Sequence, residues 1–589
     1  MDVAGLIAGG SFLVTAPAPD EIFTPEDFST EHRLAARSLG DFLDAEVEPR
    51  TAELETHNYP LMRRLLRQLG ELGFLGVDVP DAYGGTGGDF ITSLLVGETM
   101  SRGSFAVSFG AHSVIGTLPI VYFGTDEQKR RYLPGLAAGE IVGAYALTEP
   151  TAGSDALAAR TRAMLAEDGA YRLTGTKQFI TNAGFADVFT TYAKVDGERF
   201  TGFIVDRATE GLEIGPEEHK MGIKGSSTAS LFFDNARVPA DHVLGEIGGG
   251  HRVALNILNV GRLKLAAACI GAAKRALRQA LAYATERQQF GRRIASFGLV
   301  QEKLAEMAVR IYLLEAMIYR TGGLVEAARH LQSDTPVKAV EEYAVECAID
   351  KVYGSEAAGF VMDELVQIYG GYGFIEDYPA ARAYRDARIS RIYEGTNEIN
   401  RLLITGMLLR RAQRGRLPLL AACRTAVATH RHAVGSGPVG PAAPGSLDDA
   451  RHQVERAKQA CLFVAGIAAE KYGDALGEQQ EVCARIADVV IEILAMESGL
   501  LRALRAARHG QAGDGKTDLV RAGAADSVGR VRGWCRQVLA AASEGDALRD
   551  GLAALHRLLD EVPPDGIRLR RRIAERLLDA GYDYMLAGR

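Results

Sequence analysis

Tyr393-Glu394-Gly395-Thr396 places a single carboxylate between an arginine-rich run, residues 382–391, and an apolar helix-like stretch, residues 399–409. Gly395 permits a backbone conformation that a residue with a Cβ atom resists, and Thr396 can cap the helix that follows. Glu394 would then be held at the end of an element with its side chain pointing into a cavity. This placement suits a general base. An isolated Glu-Gly-Thr tripeptide is more often a solvated glutamate beside a helix start, so the interpretation depends on the other segments of the chain.

The composition is that of an acidic globular protein. The 589 residues contain 47% hydrophobic and 24% charged residues, which is ordinary for a globular chain, and their number suffices for about four domain-sized units. A formal net charge of −8 argues against a nucleic-acid binder. The six cysteines are scattered, with no C-x-x-C pair. They predict buried thiols in a reducing compartment, and neither a disulfide framework nor a metal site.

The first twenty residues are apolar, but no Lys or Arg precedes Arg33, and Gly, Ser, Thr and Pro interrupt the stretch. The charged segment that begins a signal peptide is therefore missing. No span reaches 18 consecutive apolar residues, so no transmembrane helix is predicted. We expect a cytoplasmic protein.

The first two predicted domains differ in their residue patterns. Residues 1–143 show helical spacing of apolar residues, beginning after a cap-like Thr24-Pro25-Glu26-Asp27 and interrupted by a glycine loop at residues 81–89. Residues 144–246 contain short β-branched and aromatic segments that are separated by Asp-Gly and Glu-Gly turns. They predict a compact β-domain.

Helical patterns return in the second half of the chain. Residues 247–415 contain four long helical stretches, at 251–286, 297–329, 336–368 and 397–411, which predict a four-helix bundle. Residues 434–446 form a Gly/Pro/Ser linker. Residues 447–589 predict an extra helical domain with a buried stretch that contains Ile486, Val489, Val490, Ile493 and Leu494. The predicted fold class is therefore α+β, mostly α.

A basic cluster lies near the C-terminus, at Arg568, Arg570, Arg571 and Arg572, next to Glu575. A solvated helix face explains it more simply than a membrane patch does. Contact with a membrane is accordingly not favoured.

Two segments of the β-domain have the composition of a ligand site. Residues 144–155 carry small residues and hydroxyls, which let a backbone approach a flat ligand and donate hydrogen bonds to it. Residues 175–184 supply a second strand with the aromatic Phe179 and with Thr181. Either segment alone is more often a tight turn between strands.

Together with the Glu394 segment, these runs resemble the acyl-CoA dehydrogenase family from about residue 31 to residue 411. The family fold has an N-terminal helical domain, a β-barrel-like domain and a four-helix bundle, in the order predicted above. Residues 256–262, 286–291 and 367–374 match further family motifs. Residues 297–307 and the C-terminal helical domain look most like the very-long-chain branch.

The resemblance implies FAD as cofactor, although no dinucleotide-binding G-x-G-x-x-G follows a strand here. It implies Glu394 as the catalytic base, and it gives Gly261 at the position where some relatives carry the base instead. The implied substrate-binding residues are Ser154, Arg262 and Gly395. The implied FAD-binding residues are Tyr145, Leu147, Thr148, Gly153, Phe179, Ile180, Thr181, Arg287, Phe290, Gln367, Gly370, Gly371, Thr396 and Glu398. Phe179 departs from the family pattern, which has Trp in many relatives.

The implied reaction is α,β-dehydrogenation of acyl-CoA thioesters, with long chains favoured and with electrons passed to an electron-transfer flavoprotein. Because the family assembles its FAD site across a subunit interface, the resemblance also implies a homo-oligomer, and we expect a dimer. Two alternatives stay open at this point. One is an acyl-CoA oxidase that uses O2, and the other is a non-catalytic scaffold protein with the same fold.

Overall fold

The computed structural model describes residues 7–331, 336–431, 446–510, 514–559 and 564–581. Seven of the helices in these ranges precede the first strand: α1 (Thr30–Phe42), α2 (Thr51–Leu54), α3 (Tyr59–Glu71), α4 (Phe90–Thr99), α5 (Gly103–Gly110), α6 (Leu118–Phe123) and α7 (Asp126–Ala138). The helix start predicted at Thr24 is wrong. Residues 25–27 form a single turn closed by Asp27, and Phe28 then adopts an extended ψ of 128°. Ser29 instead caps α1 by accepting from the His32 N–H.

The predicted β-domain is confirmed. One sheet contains β1 (Gly143–Ala146), β2 (Arg162–Leu165), β3 (Tyr171–Thr181), β4 (Val188–Val195), β5 (Arg199–Asp206), β6 (Leu212–Glu217), β7 (Thr228–Val238) and β8 (Val243–Leu244). Its strand order is β6-β7-β3-β2-β4-β5-β8, and β1 pairs in parallel with β4. The antiparallel register between β3 and β7 shifts between Lys177 and Ile180, so a bulge forms there.

Long helices follow the sheet: α8 (Gly250–Glu286), α9 (Gly298–Leu331), α10 (Pro336–Glu342), α11 (Ala344–Tyr369), α12 (Gly371–Phe374), α13 (Pro379–Arg388) and α14 (Asn397–Gln413). A two-stranded ribbon, β9 (Gln288–Gln289) and β10 (Arg292–Arg293), connects α8 to α9. Helices α8, α9 and α11 pack against one another, and α14 packs against α11. The third predicted helix is in fact two helices, because Tyr343 leaves the helical conformation and its hydroxyl donates to the Ile7 carbonyl.

The C-terminal helices are α15 (Leu419–Arg431), α16 (Leu447–Tyr472), α17 (Gln480–Arg508), α18 (Asp514–Ala542), α19 (Gly545–Leu559) and α20 (Gly566–Ala580). Most of the linker predicted at residues 434–446 lies outside the described residues. The predicted burial in α17 is confirmed, since Val489 and Ile493 are completely buried. Helix α17 packs on α9 and α14, so these helices share a core with the bundle.

Two stretches, Gly103–Phe123 and Gly250–Glu286, are long and apolar enough to cross a membrane, and 78% of the most apolar window of each is buried inside the protein. Packing in the core accounts for their apolar composition. All six cysteines are buried and unpaired, as predicted. Within the described ranges, no three His, Cys, Asp or Glu side chains form a group that could hold a metal ion.

Candidate active site

Glu394 occupies the turn between α13 and α14 in an unusual conformation. Its φ is 57°, and that of Gly395 is 78°, so two consecutive residues are left-handed. Only glycine adopts this conformation without steric cost, and a residue with a Cβ atom keeps it only where the surrounding structure holds it. The Thr396 hydroxyl accepts from the Ile399 N–H at 3.2 Å, which confirms the predicted cap of α14.

Three side chains bind the carbonyl groups of this turn. Arg262 Nε donates to the Glu394 carbonyl at 3.2 Å. The Gly395 carbonyl accepts from Lys351 Nζ at 2.7 Å and from Asn400 Nδ2 at 2.8 Å. Lys351 and Asn400 are not among the residues predicted from the sequence, although a lysine inside the apolar run of α11 is a recognisable signal. The Arg262 guanidinium thus contacts the turn itself, and its contact with CoA stays a prediction.

The carboxylate of Glu394 lies against helix α8. A Cβ atom added to Gly261 would lie 2.8 Å from Glu394 Oε2, so glycine leaves room for the carboxylate. Oε2 is inaccessible to solvent and has no hydrogen-bond partner among the described residues. Burial raises the pKa of Glu394 to about 7, although Arg262 and Lys351 act in the opposite direction. Such a carboxyl group exchanges its proton near neutral pH, as a general base must.

A cavity of about 150 Å³ contains Glu394 in its wall. Its lining is mainly apolar and comes from the segment after α3, from α4, from α5 and the π-helical segment after it, and from α8. One polar exception is the ion pair between Lys264 and Asp78. The Asp78 carboxylate also accepts a hydrogen bond from the Ser93 hydroxyl at 2.8 Å. The cavity suits an apolar ligand.

A second cavity, also of about 150 Å³, extends further along α8. Its apolar floor includes Ala272, Ala276 and Ala358, and charged side chains such as Arg275 also line it. The two cavities share five residues, which we call the neck: Ala106, Val107, Leu265, Ala268 and Tyr393. Together they extend along α8 from Gly261 to Gln279, a distance of about 27 Å at the helical rise of about 1.5 Å per residue.

The predicted strand residues Phe179, Ile180 and Thr181 lie at the bulge in β3. Phe179 has a φ of 60°, and 57% of its surface is exposed. Ile180 is buried, whereas Thr181 lines the same cavity as Glu394. The structure therefore brings the β-domain site and the predicted base together.

The loop after β1 is attached to β3 by a buried ion pair, in which Lys177 Nζ lies 2.7 Å from Glu149 Oε1. The Gln178 N–H also donates to the Thr148 carbonyl at 2.8 Å. In the same region Tyr145 and Leu147 are buried, while Gly153 and Ser154 are exposed. The Tyr145 hydroxyl is buried without a hydrogen-bond partner in the described residues. Burial raises its pKa, and the nearby Tyr192 and Glu394 raise it further.

Three of the remaining predicted cofactor residues lie together in a separate cleft. Arg287, Gly370 and Gly371 line a space of about 390 Å³ that shares no lining residue with the Glu394 cavity. Phe290 directly follows Gln289, which lines this cleft, and 92% of its surface is exposed. Phe374 is 84% exposed. Gln367 and Glu398 are exposed as well. Which of these residues bind the cofactor stays a prediction.

These surfaces fit a large flat cofactor with a phosphate group. A Cβ atom at Gly153, Gly370 or Gly371 would meet nothing within 4 Å, so a ligand can approach the backbone there. Arg287 supplies a guanidinium suited to phosphate, and Phe179 offers an exposed aromatic face two residues before Thr181, which lines the Glu394 cavity. The arrangement fits an enzyme with a flat, phosphate-bearing cofactor, a buried carboxylate and an apolar cavity.

Comparison with known sequences identifies the family. Models of acyl-CoA dehydrogenase match over residues 29–140 (N-terminal domain), 144–236 (middle domain), and 248–409 and 456–557 (both described as C-terminal domain). A probable acyl-CoA dehydrogenase of Bacillus subtilis is 46% identical over 585 residues, which cover 97% of this chain and 98% of that protein. The chain therefore belongs to the acyl-CoA dehydrogenase family.

Two further relatives support the match. The human very long-chain specific mitochondrial acyl-CoA dehydrogenase is 42% identical over 62% of this chain and 57% of its own length. An acyl-CoA dehydrogenase complexed with FAD from Bacillus anthracis is 46% identical, with a TM-score of 0.94 over 98% of this chain and 99% of that one. The protein is an FAD-dependent oxidoreductase of this family.

Proposed function

We propose that the protein dehydrogenates long-chain acyl-CoA thioesters to trans-2-enoyl-CoA in fatty-acid β-oxidation, with Glu394 as the general base. One observation carries the proposal. The Glu394 carboxylate is buried in the wall of an apolar cavity, and its Oε2 atom has no hydrogen-bond partner in the described residues. Burying a carboxylate without a hydrogen-bond partner destabilises the fold. Such a group is therefore a candidate functional residue, here one that accepts a proton from a substrate.

The chemistry requires a base matched to a weakly acidic α-proton. A pKa of Glu394 near 7 lets the carboxylate take that proton and release it again at neutral pH. The developing negative charge on the thioester oxygen needs preorganised donors, and the backbone N–H of Glu394 is our candidate. Bound FAD supplies the hydride acceptor.

The length and lining of the two cavities support a long acyl chain. We infer that the chain passes beside Glu394, through the neck, and into the second cavity along α8. The match to the very long-chain specific human enzyme supports the same inference. Ser154, Arg262 and Gly395 are our candidates for contacts with the CoA part or the thioester.

The dehydrogenase alternative is favoured over an oxidase, because the relatives reported above are named dehydrogenases. We therefore propose an electron-transfer flavoprotein as the acceptor. The test is turnover of hexadecanoyl-CoA with such an acceptor and, separately, with O2 alone, while the product is identified by mass spectrometry. Enoyl-CoA formed with the flavoprotein and not with O2 supports the proposal, whereas rapid turnover with O2 alone would assign the protein as an oxidase.

We also propose a homodimer. The exposed Phe290 and Phe374 lie on segments that the family resemblance assigns to a cofactor site shared between subunits, and exposed aromatic side chains are common at interfaces. The C-terminal helices could cover the surface where a second dimer would bind. Sedimentation velocity should give a dimer, and a tetramer would contradict this assembly. Cytoplasmic localisation likewise remains our proposal.

A further inference from the structure

Lys351 is a buried lysine that connects helix α11 to the turn carrying Glu394. Its side chain is completely inaccessible to solvent. Nζ donates to the Gly395 carbonyl at 2.7 Å and to Asn397 Oδ1 at 2.8 Å. Asn397 in turn donates to Ser355 Oγ at 3.0 Å, one helical turn beyond Lys351 on the same helix. Helix α11 therefore binds both the turn and the first residue of α14.

The turn needs such contacts because its conformation is unfavourable. A left-handed residue with a Cβ atom, followed by a left-handed glycine, persists only when the surrounding structure holds it. The Gly395 carbonyl receives the Lys351 ammonium from one helix and the Asn400 amide from another. Removing the ammonium would leave this carbonyl with a single side-chain donor on the strained peptide next to Glu394.

The charges around Lys351 connect it to the base. Among the described residues, four titratable or charged groups interact electrostatically with Lys351. They are Arg262 and Cys269 of α8, Glu394 of the turn, and Glu398 of α14. Buried charges interact through a medium that screens them less than water does. Arg262 stabilises the ionised form of Glu394, and Lys351 does so too while it is cationic, below its own pKa, which burial lowers to about 8.

We propose that Lys351 is a positioning residue for the reaction: its ammonium fixes the Glu394–Gly395 turn and places a positive charge beside the turn that carries the base. The inference rests on the proposed role of Glu394 as base. No covalent step involves Lys351 itself, because its ammonium contacts only the Gly395 carbonyl and the Asn397 amide among the hydrogen bonds described.

The test compares K351M and K351R with the wild-type holoenzyme in kcat and kcat/KM from pH 5.5 to 9. In K351M we expect kcat to fall about 10²-fold, as for a catalytic group misplaced by about 1 Å. We expect the acid limb to move up by about one pH unit, because a nearby cation is lost. K351R keeps the charge but not the compact ammonium, so kcat should fall while the acid limb stays in place.

A matched control is K458M, which removes another buried lysine, paired with Glu497 far from the turn in sequence. It should lower the unfolding temperature without moving the acid limb. Holo K351M with wild-type kcat and acid limb would overturn the proposal. If K351M does not fold, K351R decides, since unchanged kcat in K351R would also overturn it. E394Q, assayed in parallel, separates the two claims. An active E394Q would show that Glu394 is not the base. An inactive E394Q together with a K351M that behaves like wild type would refute only the role of Lys351.

Discussion

At Glu394, backbone strain and desolvation act on the same residue. The left-handed φ directs the side chain toward α8, and burial there raises its pKa to about 7. A carboxyl group with a raised pKa keeps its proton up to a higher pH, so the ionised base is the major form only above that pKa. The backbone conformation that places the carboxylate against α8 therefore also determines its pKa, and with it the pH range in which the base is ionised.

This gives a direct prediction for pH dependence. Because only ionised Glu394 can take a proton, kcat/KM should rise about tenfold per pH unit below pH 7 and level off above it. The measurement is kcat/KM for one long-chain acyl-CoA between pH 5.5 and 8. A profile that is flat over this range would mean that the base has an ordinary carboxyl pKa near 4.5.

The local part of this site could be predicted from sequence, and the tertiary part could not. Glu394, Gly395 and the Thr396 cap follow from adjacent residues, whose backbone preferences are short-range. The Lys351 contact could not be predicted because 44 residues separate it from Gly395. Hydrogen bonds that satisfy buried polar groups depend on packing between helices, which a local pattern does not contain.

Helix α8 is the element that connects the base to the chain-length proposal. Small side chains at Gly261, Ala268, Ala272 and Ala276 leave space along one side of it. Leu265 and Ala268 take part in the neck, where the two cavities meet. A helix is rigid, so a larger side chain at the neck should close the passage without moving the base.

We predict that Ala268→Leu discriminates by chain length. Activity with hexadecanoyl-CoA should fall at least about tenfold, the effect of about one misfitted methylene in an apolar pocket. Activity with butanoyl-CoA should stay close to that of wild type, because a short chain ends before the neck. The matched control is Ala282→Leu, at an exposed position on the same helix. Equal losses for both substrates in Ala268→Leu would contradict the proposed path.

At this scale the sequence predicted element types better than their interruptions. The β-domain and the helix α8 were predicted because their apolar periods are strong. The split of the third bundle helix at Tyr343 was missed, since the break is stabilised by a tertiary bond to Ile7. The prediction of a long helix that starts at Thr24 was wrong, because the same capping pattern also stabilises a single isolated turn.

In the whole molecule, buried ion pairs join the C-terminal helices to the rest. Arg502 of α17 is completely buried between Glu26 of the N-terminal segment and Glu315 of α9. Lys516 of α18 also pairs with Glu26. Breaking one partner of such a network leaves an uncompensated buried charge, which is strongly destabilising. The extra domain predicted from sequence is thus an integral part of the core.

This network predicts a defined acid sensitivity. Burial alone would raise the pKa of Glu26, but Arg502 and Lys516 outweigh it and lower the pKa to about 2. The stability from Glu26 is therefore complete above the unfolded pKa near 4.5 and is lost as the pH falls toward 2. It amounts to about 3 kcal/mol at neutral pH.

The measurement is the difference in thermal midpoint between wild type and E26Q from pH 7 to pH 3. The difference should be constant down to about pH 5 and should then shrink. The exposed Glu127 provides a control, since E127Q should leave the midpoint nearly unchanged throughout. A gap between wild type and E26Q that does not depend on pH would contradict the role of Glu26.

The most direct test of Glu394 as base is anaerobic mixing of the FAD-loaded protein with hexadecanoyl-CoA, with flavin absorbance followed in wild type and in E394Q. The variant keeps the size and the cavity but removes the carboxylate. We predict rapid bleaching in wild type and a rate slower by at least about 10²-fold in E394Q, the usual contribution of a general base. Bleaching at the wild-type rate in folded, FAD-loaded E394Q would place the base elsewhere and contradict the proposed mechanism.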